Sequence, residues 1–198
     1  MGYTTDFIGH IDIAPSLNAD EIAYLSAFSA SRRFDRPGGP YAVPGNPAAE
    51  DQDDFPVDVR NRVPDGQPGL WCDWVPCWDG CCLAYDGTEK FYQPVRWLEY
   101  LIDHFLRPGA HAADSEEPLL AGFTFDHVLN GVVVGCRRDN KQLFAIKVVD
   151  NVVIEEVIRP ADPRYLDYPP LPYEEAIDRD LSPRQKRRRL RVVPESSA

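Results

Sequence analysis

The chain has 198 residues, of which 43% are hydrophobic and 11% aromatic, a composition that lets one domain bury a core without disulfides. No apolar run approaches the ~20 residues of a membrane span, and the N-terminus lacks a secretory signal, so the sequence predicts a cytoplasmic protein. The net charge is −11, yet residues 1–183 hold only 15 of the 21 basic residues and 31 of the 32 acidic ones. Such an acidic body favours a basic partner over membranes or nucleic acid, although solubility alone is another reason for the charge.

The first predicted elements are a strand and a helix. Phe7–Ile13 alternates between an apolar and a mostly polar face, which is typical of a strand, and Pro15 ends it. Asn18 is followed three residues later by Glu21, the pattern of a capping box. The helix that begins there runs to about Arg33, and its apolar face consists of Ile22, Leu25 and Phe28.

Residues 35–69 form a long segment that is rich in proline and glycine, which leaves little room for regular structure. The segment also contains the acidic run Glu50–Asp54. A loop of this length is usually either functional, for example as a lid, or disordered, and the sequence leaves both interpretations open.

A hairpin and a second helix follow the loop. Leu70–Val75 and Cys81–Tyr85 are predicted strands, and Asp79-Gly80 between them is a turn signal. The second helix begins near Pro94 and ends before Pro108, because proline suits a first turn and terminates a helix. Its predicted buried stripe contains Val95, Leu98, Leu101 or Ile102, and Phe105.

The last third predicts four strands joined by tight turns. Asn130-Gly131 is the strongest hairpin signal in the chain, and Asp150-Asn151 is a second one. The four strands are Phe123–Leu129, Val132–Cys136, Leu143–Val149 and Val152–Ile158. The sequence therefore predicts an α+β domain over residues 1–160, with a mostly antiparallel sheet of about seven strands and two main helices on one face. Residues 161–198 are predicted to be a largely disordered extension that is rich in proline and basic residues.

Several segments resemble a family of small bacterial and phage proteins. The resemblance covers roughly residues 1–160 and rests on Gly2–Thr5, Gln67–Pro76, Glu89–Tyr92 and Trp97–Ile102. It is most specific in Gln67–Pro76, and it implies no function for this chain. The chain departs from the family pattern at positions 77, 81 and 82, where it has cysteines.

Residues 71–82 contain four of the five cysteines and three of the four tryptophans, so they are either dense core or a functional face. Zinc requires four ligands, usually from paired Cys-x2–4-Cys knuckles, and the spacing Cys-x4-Cys-x3-Cys-Cys does not form two separate knuckles. Neighbours such as Cys81 and Cys82 point to opposite faces of a strand, so we expect reduced, metal-free thiols and no cofactor. A weaker alternative is a metal site built from Cys72, Cys77 and Cys81 with a distant histidine.

The predicted functional surface centres on Trp78. A tight turn does not need tryptophan for its geometry, so Trp78 suits a partner contact, unless it folds back onto Phe91 and Tyr92. Acidic residues complete the predicted surface: Asp79, Asp73, Asp51, Asp53 and Asp54.

No phosphate-binding or metalloprotease motif occurs, and no histidine completes a cysteine-hydrolase triad. We therefore predict a regulatory protein, similar in role to an immunity or anti-defence protein, that masks a basic partner surface. Nucleic acid binding is predicted only through the basic run Arg184–Arg191. The alternative is an enzyme acting on a nucleotide or other small polar molecule in a cleft between residues 35–69 and the Trp/Cys hairpin.

Overall fold

The computed structural model describes residues 4–44, 55–88 and 90–162. Six strands form one sheet in the order β2-β3-β1-β4-β5-β6, and every neighbouring pair is antiparallel. The strands are β1 (Thr5–Ala14), β2 (Trp74–Pro76), β3 (Cys82–Tyr85), β4 (Val128–Arg137), β5 (Leu143–Val149) and β6 (Val152–Arg159). The helices are α1 (Ala19–Ala30), the short α2 (Val57–Arg60) and α3 (Pro94–Leu101), which continues as a π-helix over Ile102–Leu106. The predicted α+β class with an antiparallel sheet is confirmed.

The core lies on one face of the sheet. Along β1, Ile11 and Ile13 are buried, whereas Ile8, His10 and Asp12 on the opposite face are exposed. The buried residues join a cluster with apolar side chains of both main helices: Leu25, Phe28, Trp97, Leu98 and Leu101. No helix in the described part of the chain is long and apolar enough to cross a membrane.

Helix α1 begins with the predicted capping box. The side-chain oxygen of Asn18 accepts the backbone N–H of Asp20 at 2.9 Å and of Glu21 at 3.0 Å, and Glu21 Oε2 accepts the Asn18 N–H at 2.7 Å. The other carboxylate oxygen, Glu21 Oε1, contacts His127 Nε2 at 3.1 Å in an almost fully buried pair. His127 Nδ1 also lies 2.7 Å from the Pro15 carbonyl oxygen. His127, which precedes β4, therefore contacts both Glu21 of α1 and the segment that leads into α1, and these contacts fix the start of the helix.

The strand count is six rather than seven because β4 is one continuous strand. The sequence predicted that Asn130-Gly131 would join two strands, but β4 runs through both residues and pairs with β1 along its length. Gly131 has a φ of 151°, and a Cβ there would lie 2.8 Å from the His10 carbonyl oxygen. The glycine therefore permits a close approach between two strands, and Asn130 Oδ1 accepts the Asp150 N–H of the β5–β6 turn at 2.9 Å.

Strand β2 is shorter than the predicted Leu70–Val75. Its partner β3 has only four residues, so pairing is limited to Trp74–Pro76 opposite Leu83–Tyr85. The Leu70 carbonyl instead accepts the Arg33 N–H at 2.7 Å. The buried Arg33 guanidinium lies 4.0 Å from the centre of the Phe28 ring and donates to the carbonyls of Pro40 and Ala42. Arg33 thus holds the start of the 35–69 segment against the core.

Candidate functional site

The β2–β3 turn projects from one end of the sheet, and residues Cys77–Cys82 are called the hairpin tip here. The Cys77 N–H donates to the Cys82 carbonyl at 2.9 Å, and the Gly80 N–H donates to the Cys77 carbonyl at 3.1 Å. The tip is also bonded to the segment that leaves β1, because Ile13 N–H donates to the Cys81 carbonyl and Leu17 N–H donates to the Gly80 carbonyl. A turn with this many backbone hydrogen bonds has a defined conformation.

Burial divides the tryptophans of residues 71–82 into core and surface. Trp74 is fully buried, and its Nε1–H donates to the Pro94 carbonyl at 2.8 Å, so it attaches the hairpin to α3. Trp78 is 88% exposed at the hairpin tip. The alternative in which it packs on Phe91 is not observed, because the Phe91 ring contacts Phe7, Trp74 and Tyr85.

Three thiols converge at the hairpin tip. The Sγ atoms of Cys77, Cys81 and Cys82 all lie within 4.8 Å of one another, and Cys77 Sγ is 3.6 Å from Cys81 Sγ. The sequence argument that adjacent Cys81 and Cys82 must diverge is wrong here, because Cys81 lies in the bend before β3 and not in the strand. The sequence offered Cys72, Cys77 and Cys81 as metal ligands, but Cys72 is fully buried in the core. The cysteine that joins Cys77 and Cys81 in the structure is Cys82.

The Asp79 carboxylate belongs to the same cluster. Its Oδ1 accepts a hydrogen bond from Cys77 Sγ at 3.1 Å and one from the Cys81 N–H at 3.4 Å. The bond from Cys77 is the main cause that lowers the pKa of Asp79. The nearby Asp79 carboxylate raises the pKa of Cys81 to about 11, and burial raises that of Cys82 to about 12. In this arrangement Cys81 and Cys82 are neutral thiols at pH 7.

The other predicted acidic residues do not meet Trp78. Asp73 is only 6% exposed and lies at the open end of the hairpin, where its carbonyl accepts the Asp86 N–H. Burial, together with the charge of Asp86, raises the pKa of Asp73 to about 6. Asp51, Asp53 and Asp54 lie outside the described residues. Of the six predicted residues, the structure brings together Trp78 and Asp79.

The pairing register supplies acidic neighbours that sequence reasoning missed. The end of β1, the start of β4 and the β5–β6 turn lie at the same end of the sheet as the hairpin tip. Five exposed carboxylates therefore lie at this acidic end: Asp12, Asp20, Asp79, Asp126 and Asp150. The segments 12–20, 77–82, 126–131 and 148–152 contain no lysine or arginine. These residues are far apart in sequence, so only the strand register reveals them as a group.

A second candidate is a cleft of about 430 Å³ between Gly66–Pro68 and the helix that continues α3. His104 stacks on Tyr100 with ring centres 3.9 Å apart, and its Nδ1 lies 2.7 Å from the Tyr41 hydroxyl. Burial lowers the pKa of His104 to about 4, and the ring of His111 lies 4.7 Å away. The lining also contains Arg96, Glu99 and Asp103.

The cleft contains one buried polar atom without a partner. Gln67 donates its Nε2–H groups to the Pro40 carbonyl and the Tyr100 hydroxyl, but its Oε1 has no hydrogen-bond partner among the residues that the structure describes. The predicted enzyme cleft lay between residues 35–69 and the Trp/Cys hairpin. This cleft instead joins residues of that segment to α3, and the hairpin does not line it.

Comparison with protein-family models, curated proteins and solved structures found no match to this chain. The resemblance of Gln67–Pro76 to small bacterial and phage proteins therefore stays a prediction.

Proposed function

We propose that this protein is a cytoplasmic binding protein that docks a basic protein partner on its hairpin tip. The observation that carries the proposal is Trp78, whose side chain is 88% exposed on a turn fixed by backbone hydrogen bonds. Leaving a large indole in water forgoes about 2 kcal/mol of burial, which binding recovers. Tryptophan is also one of the three residue types, with tyrosine and arginine, that are enriched among the side chains that dominate binding energy.

The charge around Trp78 supports a basic partner over a neutral one. The acidic end carries five exposed carboxylates, and the segments that form it contain no lysine or arginine. An aromatic anchor within an acidic rim has the composition expected of a surface that attracts and orients a basic protein. Such a surface raises the association rate, and its effect is weakened by salt.

The test compares Trp78→Ala with Trp71→Ala. Trp71 is 40% exposed, lies outside the hairpin tip and contacts Arg32, so it is a matched control for the loss of a partly exposed indole. A partner is first captured from a host extract with the wild-type chain and purified, and binding is then measured by calorimetry. We expect Trp78→Ala to weaken binding about 30-fold or more, while its thermal stability stays within about 0.5 kcal/mol.

A double variant tests whether the acidic residues attract the partner. Asp126→Asn combined with Asp150→Asn removes two charges from the acidic end and leaves Trp78 in place. The association rate with the captured partner should fall, and its dependence on salt should become shallower. A captured partner that is acidic, or one that binds Trp78→Ala as well as wild type, would contradict the proposal.

A second candidate function is an enzyme that binds a small anionic molecule in the cleft of His104. His104 is neutral at pH 7 because burial lowers its pKa to about 4, so its ring can hydrogen-bond a ligand but is a weak base, and Arg96 can bind a carboxylate or phosphate. The buried Gln67 Oε1, which has no hydrogen-bond partner within residues 4–44, 55–88 and 90–162, supplies an acceptor for a ligand donor.

Binding in the cleft is tested by a thermal-shift titration with inorganic phosphate and adenosine monophosphate. One of these anions should raise the melting temperature of the wild type and of Arg62→Gln, whose arginine is exposed outside the cleft. The shift should disappear in Arg96→Gln. Equal shifts in the two variants would place the anion elsewhere and remove the basis for this candidate.

A further inference from the structure

We propose that the hairpin tip is a zinc site in which Cys77, Cys81 and Cys82 supply thiolates and Asp79 supplies a carboxylate oxygen. The site stands on the geometry of the thiols, so it goes beyond partner docking and does not depend on it. The four side chains come from a segment of six residues, and the backbone hydrogen bonds of the turn hold that segment in place.

The distances match a tetrahedral ion. A Zn–S bond of about 2.3 Å places two thiolates of a tetrahedron ~3.8 Å apart. Cys77 Sγ and Cys81 Sγ are 3.6 Å apart, and the third sulfur, of Cys82, lies within 4.8 Å of both. Asp79 Oδ1 lies 3.1 Å from Cys77 Sγ, but only the three sulfurs all lie within 4.8 Å of one another, so the Asp79 side chain must rotate toward Cys81 and Cys82 to complete the tetrahedron.

Backbone donors already point at the ligand atoms. The Cys82 N–H donates to Cys77 Sγ at 2.9 Å, and the Cys81 N–H faces Asp79 Oδ1 at 3.4 Å. Hydrogen bonds of this kind orient metal ligands and stabilise a thiolate, which is the charge state that binds metal. The hairpin tip therefore has ligands and part of their supporting shell within one turn.

The donor set selects the kind of metal. Thiolates exclude calcium and magnesium, which take oxygen ligands, and favour zinc or copper(I). A carboxylate beside three thiolates favours zinc, because zinc accepts sulfur and oxygen together in a four-coordinate site. Four protein ligands also leave no open position, so this ion would be structural.

A bound metal would affect the backbone around Trp78 and the charge of the hairpin tip. Trp78 lies between the ligands Cys77 and Asp79, so an ion bound to both would fix the backbone on either side of the indole. Three thiolates and one carboxylate around a divalent ion would also leave two net negative charges on the hairpin tip. Zinc would therefore further restrain a tip whose backbone hydrogen bonds already define its conformation, and it would add to the charge of the acidic end.

The test uses cobalt(II) as a spectroscopic substitute for zinc on the full chain, kept reduced with a phosphine. We expect a thiolate-to-cobalt charge-transfer band with the intense visible bands of a tetrahedral site, saturating at one ion per chain. Addition of zinc should remove these bands, since zinc displaces cobalt from thiolate sites. Titration with a zinc-chelator indicator then gives the affinity.

Serine variants locate the site. Cys77→Ser, Cys81→Ser and Cys82→Ser should each weaken zinc binding about 100-fold or more, because each removes a ligand. Cys136→Ser is the matched control, since Cys136 is a partly buried cysteine of β4 outside the cluster, and it should bind as wild type. Asp79→Ala should keep the charge-transfer band but bind zinc less tightly. Far-ultraviolet circular dichroism checks that each variant is folded.

Four outcomes would overturn the zinc site. The first is the absence of a thiolate–cobalt band in the reduced wild type, and the second is binding by copper(I) but not by zinc. The third is zinc binding that survives replacement of all three cysteines. A disulfide between Cys77 and Cys81 in protein prepared without oxidant would also contradict it. Because Trp78→Ala leaves all four ligands in place, failure of partner docking and failure of the metal site give separate results.

Discussion

At the scale of single residues, Asp73 shows how burial changes the role of a side chain. In the sequence it is one more carboxylate beside a tryptophan-rich turn, and we predicted that it faces a partner. In the structure it is 6% exposed, next to Asp86, and its pKa is raised to about 6. A buried carboxylate with a raised pKa destabilises the folded state when it ionises, so ionised Asp73 lowers the free energy of unfolding.

Asp73→Asn should therefore stabilise the protein at pH 8. The folded state binds the Asp73 proton more tightly than the unfolded state, whose pKa is near 3.9, so wild-type stability falls as pH rises from about 4 to 6. Asparagine removes this loss and still accepts the hydrogen bond from the Thr88 side chain. The free energy of unfolding at pH 8 should therefore rise by roughly 1–2 kcal/mol, which is a few degrees in melting temperature. The gain should vanish below pH 4.

Melting curves between pH 3 and 8 measure this effect. The exposed carboxylate Asp65 provides the control, because Asp65→Asn should change the melting temperature little at any pH. A gain for Asp73→Asn that is equally large at pH 3 would show that packing, and not ionisation, is the cause.

At the scale of elements, the start of α1 was predictable and the path of β4 was not. The capping box needs only Asn18 and Glu21 at a spacing of three, and both bonds are formed. Asn130-Gly131 is the same kind of local signal, but its glycine is used for the contact between β4 and β1. A turn propensity of about 1 kcal/mol loses to the ladder of hydrogen bonds that a continuous ten-residue strand makes with β1.

Gly131→Ala should destabilise the protein by roughly 2–3 kcal/mol. A Cβ at this position lies 2.8 Å from the His10 carbonyl oxygen and 3.0 Å from Ile11 Cα, so the two strands must separate. Gly87→Ala is the control, because Gly87 also has a positive φ, of 88°, but a Cβ there meets nothing within 4 Å. Gly87→Ala should lower the free energy of unfolding by only ~1 kcal/mol, because alanine is strained in this left-handed backbone conformation.

Urea denaturation at pH 7 measures both free energies of unfolding. If Gly131 formed a hairpin turn, as its sequence context indicates, the two alanine variants would lose similar amounts. A loss for Gly131→Ala no larger than that for Gly87→Ala would therefore contradict the close approach of β1 and β4.

At the scale of the whole molecule, the order of the strands decides where charge accumulates. Antiparallel pairing brings Asp12, Asp126 and Asp150 to the same end of the sheet as the hairpin tip. The opposite end carries the basic residues Arg137, Arg138, Lys141 and Arg159. The sequence predicted an acidic body, and the fold turns it into a molecule with a distinct acidic end.

The same scale decides which parts of residues 71–82 are available for binding. Composition marks this segment as important but does not separate Trp74 and Cys72, in the core, from Trp78 and the clustered thiols. The separation follows from the register of β2 on β3 and from the packing of Trp74 beneath α3. These contacts join residues that are distant in the chain, so a local pattern does not contain them.

The sequence by itself determined the α+β class, the capped start of α1 and a hairpin that turns at Asp79-Gly80. Each of these depends on hydrophobic periodicity or turn chemistry, which act over a few neighbouring residues. The tertiary structure alone decided that β4 is continuous, that Asp73 is buried, that His104 lies in a cleft and that Cys81 and Cys82 converge with Cys77. Those features depend on strand register, packing and the bend before β3, which are settled only when the whole core is formed.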